Sequence, residues 1–279
     1  MHQTVKPVRI PELSRMKRRG QKITMLTAYD ATMARLLDRA QIDILLVGDS
    51  LGMVILGHDS TLPVTMDAML HHTKAVRKGT KRALVVADMP FLSYQVGART
   101  AIRNAGRLLQ EGGAAAVKLE GGSAVAKVVH RIVETGIPVM GHLGLTPQSV
   151  HRIGGFRAVG KTKDEADRLI DEARLLEEAG AFAIVLECIP SELAGEITAL
   201  VKIPTIGIGA GPHCDGQVLV GYDAFGLFDE FVPRFVKQYA NLGAQMVEGA
   251  KEYAADVQAG RFPAKEHCVP TSDSVEKLA

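Results

Sequence analysis

The stretch ALVVADMPFLSYQVGARTAIRNAGRLLQEGGAAAVKLEGG (83–122) forms one strand–helix–strand unit. It opens and closes on short apolar runs, ALVVADMP (83–90) and AAVKLEGG (115–122), with a helical segment between them. Apolar runs that are continuous rather than alternating indicate strands covered on both faces, as in parallel sheets. Similar runs lie upstream, KITMLTAYD (22–30) and DILLVGDS (43–50). Downstream come IPVMGHLG (137–144), AFAIVLEC (181–188), IPTIGIGAG (203–211) and a weaker run around QVLVGYDAF (217–225). Pro138 and Pro204 each stand second in a run, where a missing N–H disturbs a ladder least.

The intervening segments carry helix signals. Thr162-Lys-Asp-Glu165 is a capping box, with Ala166, Leu169, Ile170, Ala173 and Leu176 following at helical spacing and Gly180 ending the helix. Ser123 is expected to cap a helix closed by Gly136. Eight strands alternating with helices predict an α/β fold, a (β/α)8 TIM barrel, with a doubly wound open sheet as the fallback. A length of 279 residues suits one such barrel. No Pro/Ser/Gly-rich boundary divides the chain, so a single domain over 1–279 is expected. It carries a basic N-terminal arm over about 1–21, a solvated segment or first helix, and a polar tail over about 262–279 expected to be mobile.

A net charge of +2 argues against a nucleic-acid partner bound through a broad basic surface. Cys188, Cys214 and Cys268 are widely spaced with no CxxC pair, which fits a reducing cytoplasm and gives no zinc signature. No segment approaches the ~20 apolar residues of a membrane span, and the N-terminus lacks a signal-peptide core. A soluble, cytoplasmic protein is expected.

The charges fall at strand ends: Asp49, Asp88, Glu120 and Glu187 close the second, third, fourth and sixth runs. Barrel active sites gather at that C-terminal face. A single acid there is as often a cap for the next helix, but four acids at four strand ends repel unless a cation or proton sits among them. Three oxygen-bearing acids suggest a hard divalent ion such as magnesium. Asp49, Asp88 and Glu120 come from adjacent strands, about 4.8 Å apart, and are read as its holders. Glu187, two strands further round, is read as a base.

Lys118 shares the inward face with Glu120, by the two-residue period of a strand. It either forms a structural ion pair with Glu120 or offsets the charge of a substrate carboxylate. His142, at the end of the fifth strand, is either a substrate contact or a satisfied core histidine. Ser50 either donates to a ligand or caps the next segment. The string Gly207, Gly209, Gly211 fails the dinucleotide fingerprint and is read as close backbone approach. Adjacent His71 and His72 on a helix do not face one metal. Two long connections, LGMVILGHDSTLPVT (51–65) and TPQSVHRIGGFRAVGK (146–161), stand where barrels place lids and specificity.

The strings TAYD (27–30), LLVGDSLGM (45–53), GHDSTLPVT (57–65), VKLEGG (117–122), GHLGLTPQSV (141–150), VLECIP (185–190) and IGIGAG (206–211) together resemble the ketopantoate hydroxymethyltransferase family. The resemblance runs from about Ile23 to Phe262. It implies transfer of a one-carbon unit from 5,10-methylenetetrahydrofolate to 3-methyl-2-oxobutanoate, giving 2-dehydropantoate for pantothenate and coenzyme A synthesis. It further implies a magnesium ion in each subunit, associated with Asp49, Asp88 and Glu120. Asp49, Ser50, Asp88 and Lys118 would contact the keto acid, with His142 near it and Glu187 as the proton acceptor. A homo-oligomer, a decamer, is implied as well. The nearest rival is a barrel of the phosphoenolpyruvate mutase and isocitrate lyase type, which needs no folate. A catalytically silent scaffold is the other.

Overall fold

In a computed structural model describing residues 6–155 and 157–269, each apolar run forms one strand. They are β1 (Ile23–Thr27), β2 (Ile44–Val47), β3 (Leu84–Asp88), β4 (Ala116–Glu120), β5 (Val139–Gly144), β6 (Ala183–Glu187), β7 (Thr205–Ile208) and β8 (Gly216–Leu219). Neighbours pair in parallel in chain order, and β8 pairs back onto β1, with Ile23 beside Gly216. The sheet is therefore a closed barrel rather than the open fallback. Its last strand is shorter than the apolar run suggested, ending at Leu219 before a short helix.

The helices are α1 (Ile10–Arg18), α2 (Ala31–Arg39), α3 (Leu51–Val54), α4 (Met66–Gly79), α5 (Ala98–Gln110) and α6 (Ser123–Glu134). After them come α7 (Val150–Ile153), α8 (Lys163–Glu178), α9 (Ser191–Leu200), α10 (Gly221–Ala224) and α11 (Leu242–Gln258). Half of the expected capping box forms at α8. The Thr162 hydroxyl accepts the Glu165 N–H at 3.3 Å, but the Glu165 carboxylate reaches past it to the N–H groups of Gly160 and Lys161, each at 3.0 Å. Gly180 ends the helix at φ +93°. Ser123 does not cap α6. It is the first helical residue, its hydroxyl turned to Glu172 at 3.2 Å. Gly122 takes the cap position because a Cβ there would stand 2.3 Å from the Glu172 side chain.

Residues 1–5 of the basic arm lie outside the described residues; from Ile10 to Arg18 the arm forms the first helix. Val8 and Leu13 are buried, and they join Ile23, Ile44, Leu84 and Ala116, from the starts of four strands, in one apolar cluster. Lys17 fixes the helix further: its ammonium donates to the carbonyls of Thr198 (2.8 Å) and Ile203 (3.0 Å) and to Asp215 (2.8 Å). One basic residue of the arm is thus a structural tie, whereas Arg19 remains exposed.

Within the span read as a single domain, the described residues group into two compact units. The barrel unit runs through Tyr222 and includes Pro233–Val236; the other comprises Asp223–Val232 and the chain from Lys237 onward. In the second unit the Asn241 side chain accepts the Ala244 N–H at the start of α11, and the Tyr239 N–H donates to Ala224 at 2.7 Å. No residue of α11 is buried. Residues 270–279 of the expected tail lie outside the described residues.

Candidate active site

Alternation along the strands divides the barrel interior into layers. Leu84 and Val86, Ala116, Met140, and Ala183 with Val185 belong to the apolar interior cluster. The next residues of the same parity are Asp88, Lys118 with Glu120, His142 and Glu187, so the interior turns from apolar to charged as the strands reach their C-terminal ends. Val117 and Leu119, of opposite parity, are buried toward the helices as expected. The register sets Asp88 beside Lys118, Glu120 beside His142, and Gly144 beside Glu187.

Asp49 arrives by another route. β2 ends at Val47, and on a continued strand residue 49 would face outward like Leu45 and Val47. Instead Gly48 and Asp49 form a turn into α3, whose tight geometry needs the missing side chain of Gly48. A Cβ there would lie 2.7 Å from the Ser50 hydroxyl and 3.5 Å from Asp88 Oδ2. The turn aims the Asp49 N–H at Asp88 Oδ2, 3.0 Å away, and brings its buried carboxylate into the mouth. Not every strand-end acid is recruited in this way. Asp30, just beyond β1, caps α2 by accepting the N–H groups of Thr32 (2.7 Å) and Met33 (2.8 Å).

Lys118 pairs with Asp88 rather than with Glu120. Its Nζ lies 3.0 Å from Asp88 Oδ1 and 3.2 Å from His142 Nδ1. His142 bridges the two halves of the layer, with Nδ1 3.6 Å from Glu120 Oε1 and Nε2 3.1 Å from Glu187 Oε2. Ser50 Oγ shares a 2.8 Å hydrogen bond with the Tyr29 hydroxyl and leaves the following helix without a side-chain cap. All seven residues singled out in the sequence therefore meet at one end of the barrel.

Three side chains of this layer were not foreseen. Gln148 links the acids: its Nε2 donates to Asp49 Oδ2 at 2.8 Å and to the Met89 carbonyl at 3.0 Å, while its N–H donates to Glu120 Oε2 at 2.9 Å. The buried Tyr94 hydroxyl donates to Gln148 Oε1 at 2.8 Å and accepts the Glu120 N–H at 3.1 Å. Tyr29 supports Ser50. The motifs TAYD and LTPQS contained Tyr29 and Gln148, but nothing in their spacing marked an inward role.

Burial, and then the charges of Asp88 and Glu120, push the Asp49 carboxyl well above its ordinary value; Lys118 and Gln148 oppose them. Burial likewise raises Asp88, against the nearby Lys118 ammonium. Burial would lower Lys118, but Asp88, Glu120 and Asp49 outweigh it and hold the amine protonated. For His142, burial and Lys118 press downward, yet the carboxylates of Glu120 and Glu187 prevail and bring it up to about 9. Lys118 and His142 thus face four acids in one layer. Among the described residues, no three His, Cys, Asp or Glu side chains converge closely enough to hold a metal ion by themselves. Asp88 Oδ1 is buried against the Lys118 ammonium.

The segment after β6 is strained beside this layer. Cys188 takes φ +49°, rare for a non-glycine residue, with its N–H on the Ile208 carbonyl at 2.9 Å. The glycines after β7 serve close packing, as their spacing suggested: a Cβ on Gly211 would stand 2.2 Å from Ser191 Oγ.

Against known proteins, residues 7–265 match the model described as ketopantoate hydroxymethyltransferase. The chain belongs to this family. A 3-methyl-2-oxobutanoate hydroxymethyltransferase of Moorella thermoacetica is 59% identical over 260 residues, 93% of this chain and 97% of the relative. One from Heliobacterium modesticaldum is 54% identical over 273 residues, covering 98% and 99%. Among solved structures, a phosphonopyruvate hydrolase complex with oxalate and Mg++ matches with TM-score 0.57 at 14% identity, covering 96% of this chain and 94% of that one. A 2,3-dimethylmalate lyase of the PEP mutase/isocitrate lyase superfamily matches with TM-score 0.56 at 15% identity, covering 96% and 92%. At that identity the structural likeness speaks to the barrel alone. The ketopantoate hydroxymethyltransferase assignment rests on the sequence matches, which favour it over the mutase and lyase rival.

Proposed function

We propose that this chain transfers a one-carbon unit from 5,10-methylenetetrahydrofolate to 3-methyl-2-oxobutanoate, giving 2-dehydropantoate for pantothenate synthesis. The observation that carries the reading is the charged layer itself. Asp49, Asp88, Glu120 and Lys118 crowd one side, and Glu187 stands across His142 from them. One side suits an anionic chelating substrate and its counter-ion, the other a base.

The donor set fits one magnesium ion per subunit. Asp49 is pushed toward protonation by burial and by its acidic neighbours Asp88 and Glu120, and a hydrated divalent cation among the three would relieve that repulsion. Asp49, Asp88 and Glu120 would hold it, directly or through its waters. When bound, it supplies Lewis-acid polarisation of the α-keto acid oxygens, which acidifies the C3 proton.

The chain's own residues supply the rest. Lys118, kept protonated, offsets the substrate carboxylate, and Ser50, braced by Tyr29, donates to it. Glu187 takes the C3 proton, leaving an enolate whose C3 forms the new bond to the methylene carbon of the folate; both bonds from that carbon to the folate nitrogens break, and a water supplies the hydroxyl, so that 2-dehydropantoate and tetrahydrofolate leave. His142 at 3.1 Å orients the Glu187 carboxylate. Gln148 and Tyr94 hold Asp49 and Glu120 at the mouth.

The reading extends to a cytoplasmic homo-oligomer, a decamer. Supporting it are the Met246, Val247, Tyr253 and Val257 side chains of α11, all exposed on a helix with no buried residue. No helix among the described residues is long and apolar enough to cross a membrane. The test of the catalytic assignment is exchange of the substrate C3 hydrogen with deuterated solvent. Glu187→Gln should lose roughly a hundredfold or more in exchange rate while still binding the keto acid. Full exchange in that variant would refute the role.

A further inference from the structure

A cavity of about 290 Å³ opens beside the charged layer, between the end of β5 and the start of α8. Its inner wall includes Gly144 and Val159. Both are tied to the backbone around Glu187. Gly144 is its register partner on β5, and the Val159 N–H donates to the Cys188 carbonyl at 3.0 Å. The cavity thus adjoins the backbone that carries Glu187, the base that acts at C3.

Its outer lining is cationic. Arg152 and Arg157 come from the long connection after β5, and Arg168 from the second turn of α8. Among the described residues Glu165 is the only acid in the lining, and its Oε2 already accepts two backbone N–H groups, from Gly160 and Lys161 at 3.0 Å each. Arg152 and Arg168 against a carboxylate already engaged leave a surplus of positive charge. Guanidinium forks match carboxylates two N–H bonds at a time, and clustered arginines are the chemistry of polycarboxylate recognition. The keto acid is held elsewhere, among Lys118 and the acids. Of the two proposed substrates, that leaves the folate, whose glutamyl end carries carboxylates remote from the reacting carbon.

We infer that this arginine-lined cavity binds the glutamyl carboxylates of the reduced folate and so positions its methylene carbon at the mouth. The inference rests on the co-substrate proposed above. It gives the connection over 146–161 two tasks. Gln148 at its start orders the acids, and Arg152 further on holds the second substrate together with Arg168 of α8.

The test compares 5,10-methylenetetrahydrofolate with 5,10-methylenetetrahydropteroate, which lacks the glutamyl group. Wild-type protein should show a KM about tenfold or more higher for the pteroate form. In an Arg152→Ala, Arg168→Ala double variant that preference should collapse, because the folate KM rises to the pteroate value. The KM for the keto acid and folate-free C3–hydrogen exchange should stay at wild-type levels, which shows that the fold and the charged layer are intact. An Arg152→Lys, Arg168→Lys variant, which keeps charge but loses the fork, should fall between. Turnover with equal KM for both donors in wild type, or an undiminished preference in the alanine variant, overturns the site alone. Absence of turnover with either donor overturns the proposed function and this site with it.

Discussion

His142 shows how much the charged layer depends on its neighbours. Burial opposes its protonation, yet Glu120 and Glu187 raise it from 6.5 to about 9. A histidine whose folded value exceeds its unfolded value contributes stability that is complete below about pH 6.5 and is lost as pH rises through about 9. In metal-free protein, the unfolding free energy attributable to this residue should fall by up to roughly 3 kcal/mol across that window. Urea titrations of wild type and His142→Gln check it; an identical pH dependence in both would contradict the assignment. At this scale the sequence was legible where strand parity applies. Asp88, Lys118, Glu120, His142 and Glu187 all continue an inward row. Asp49 lay in the right place for a different reason, since a turn and not the strand delivers it. Gln148 and Tyr94 were illegible because they reach the acids from a single 3-10 turn and a loop, both too short to show a periodicity.

Among the elements, α1 carries the clearest energetic prediction. Leu13 is buried against the starts of the barrel strands, so α1 closes the barrel end opposite the charged layer. Leu13→Ala should cost about 2–5 kcal/mol, as buried leucine truncations do. Chemical denaturation would register it as a lower midpoint, and an unchanged midpoint would mean that the helix does not pack as described. The eight strands were visible because parallel strands covered on both faces must be apolar throughout. The basic arm left its helix ambiguous, since its buried residues are few: Val8 and Leu13 fall below 10% exposure, with Ile10 and Met16 only partly buried. At α6, Ser123 lost the cap position to Gly122 because Glu172 of α8 occupies the space that a side chain would need, a tertiary fact absent from local spacing.

Across the whole molecule, the exposed apolar side chains of α11 belong to the proposed assembly. Met246→Glu together with Tyr253→Glu should shift the protein to smaller species in sedimentation velocity, whereas an unaltered distribution would place the subunit contacts elsewhere. The central claim is that an acidic barrel mouth, served by a divalent ion, activates a keto acid for one-carbon transfer. Its most direct test is 2-dehydropantoate formation from 3-methyl-2-oxobutanoate and 5,10-methylenetetrahydrofolate, before and after exhaustive chelation. Activity should vanish on metal removal and return when magnesium is restored. Turnover that survives complete removal of the metal would contradict the account.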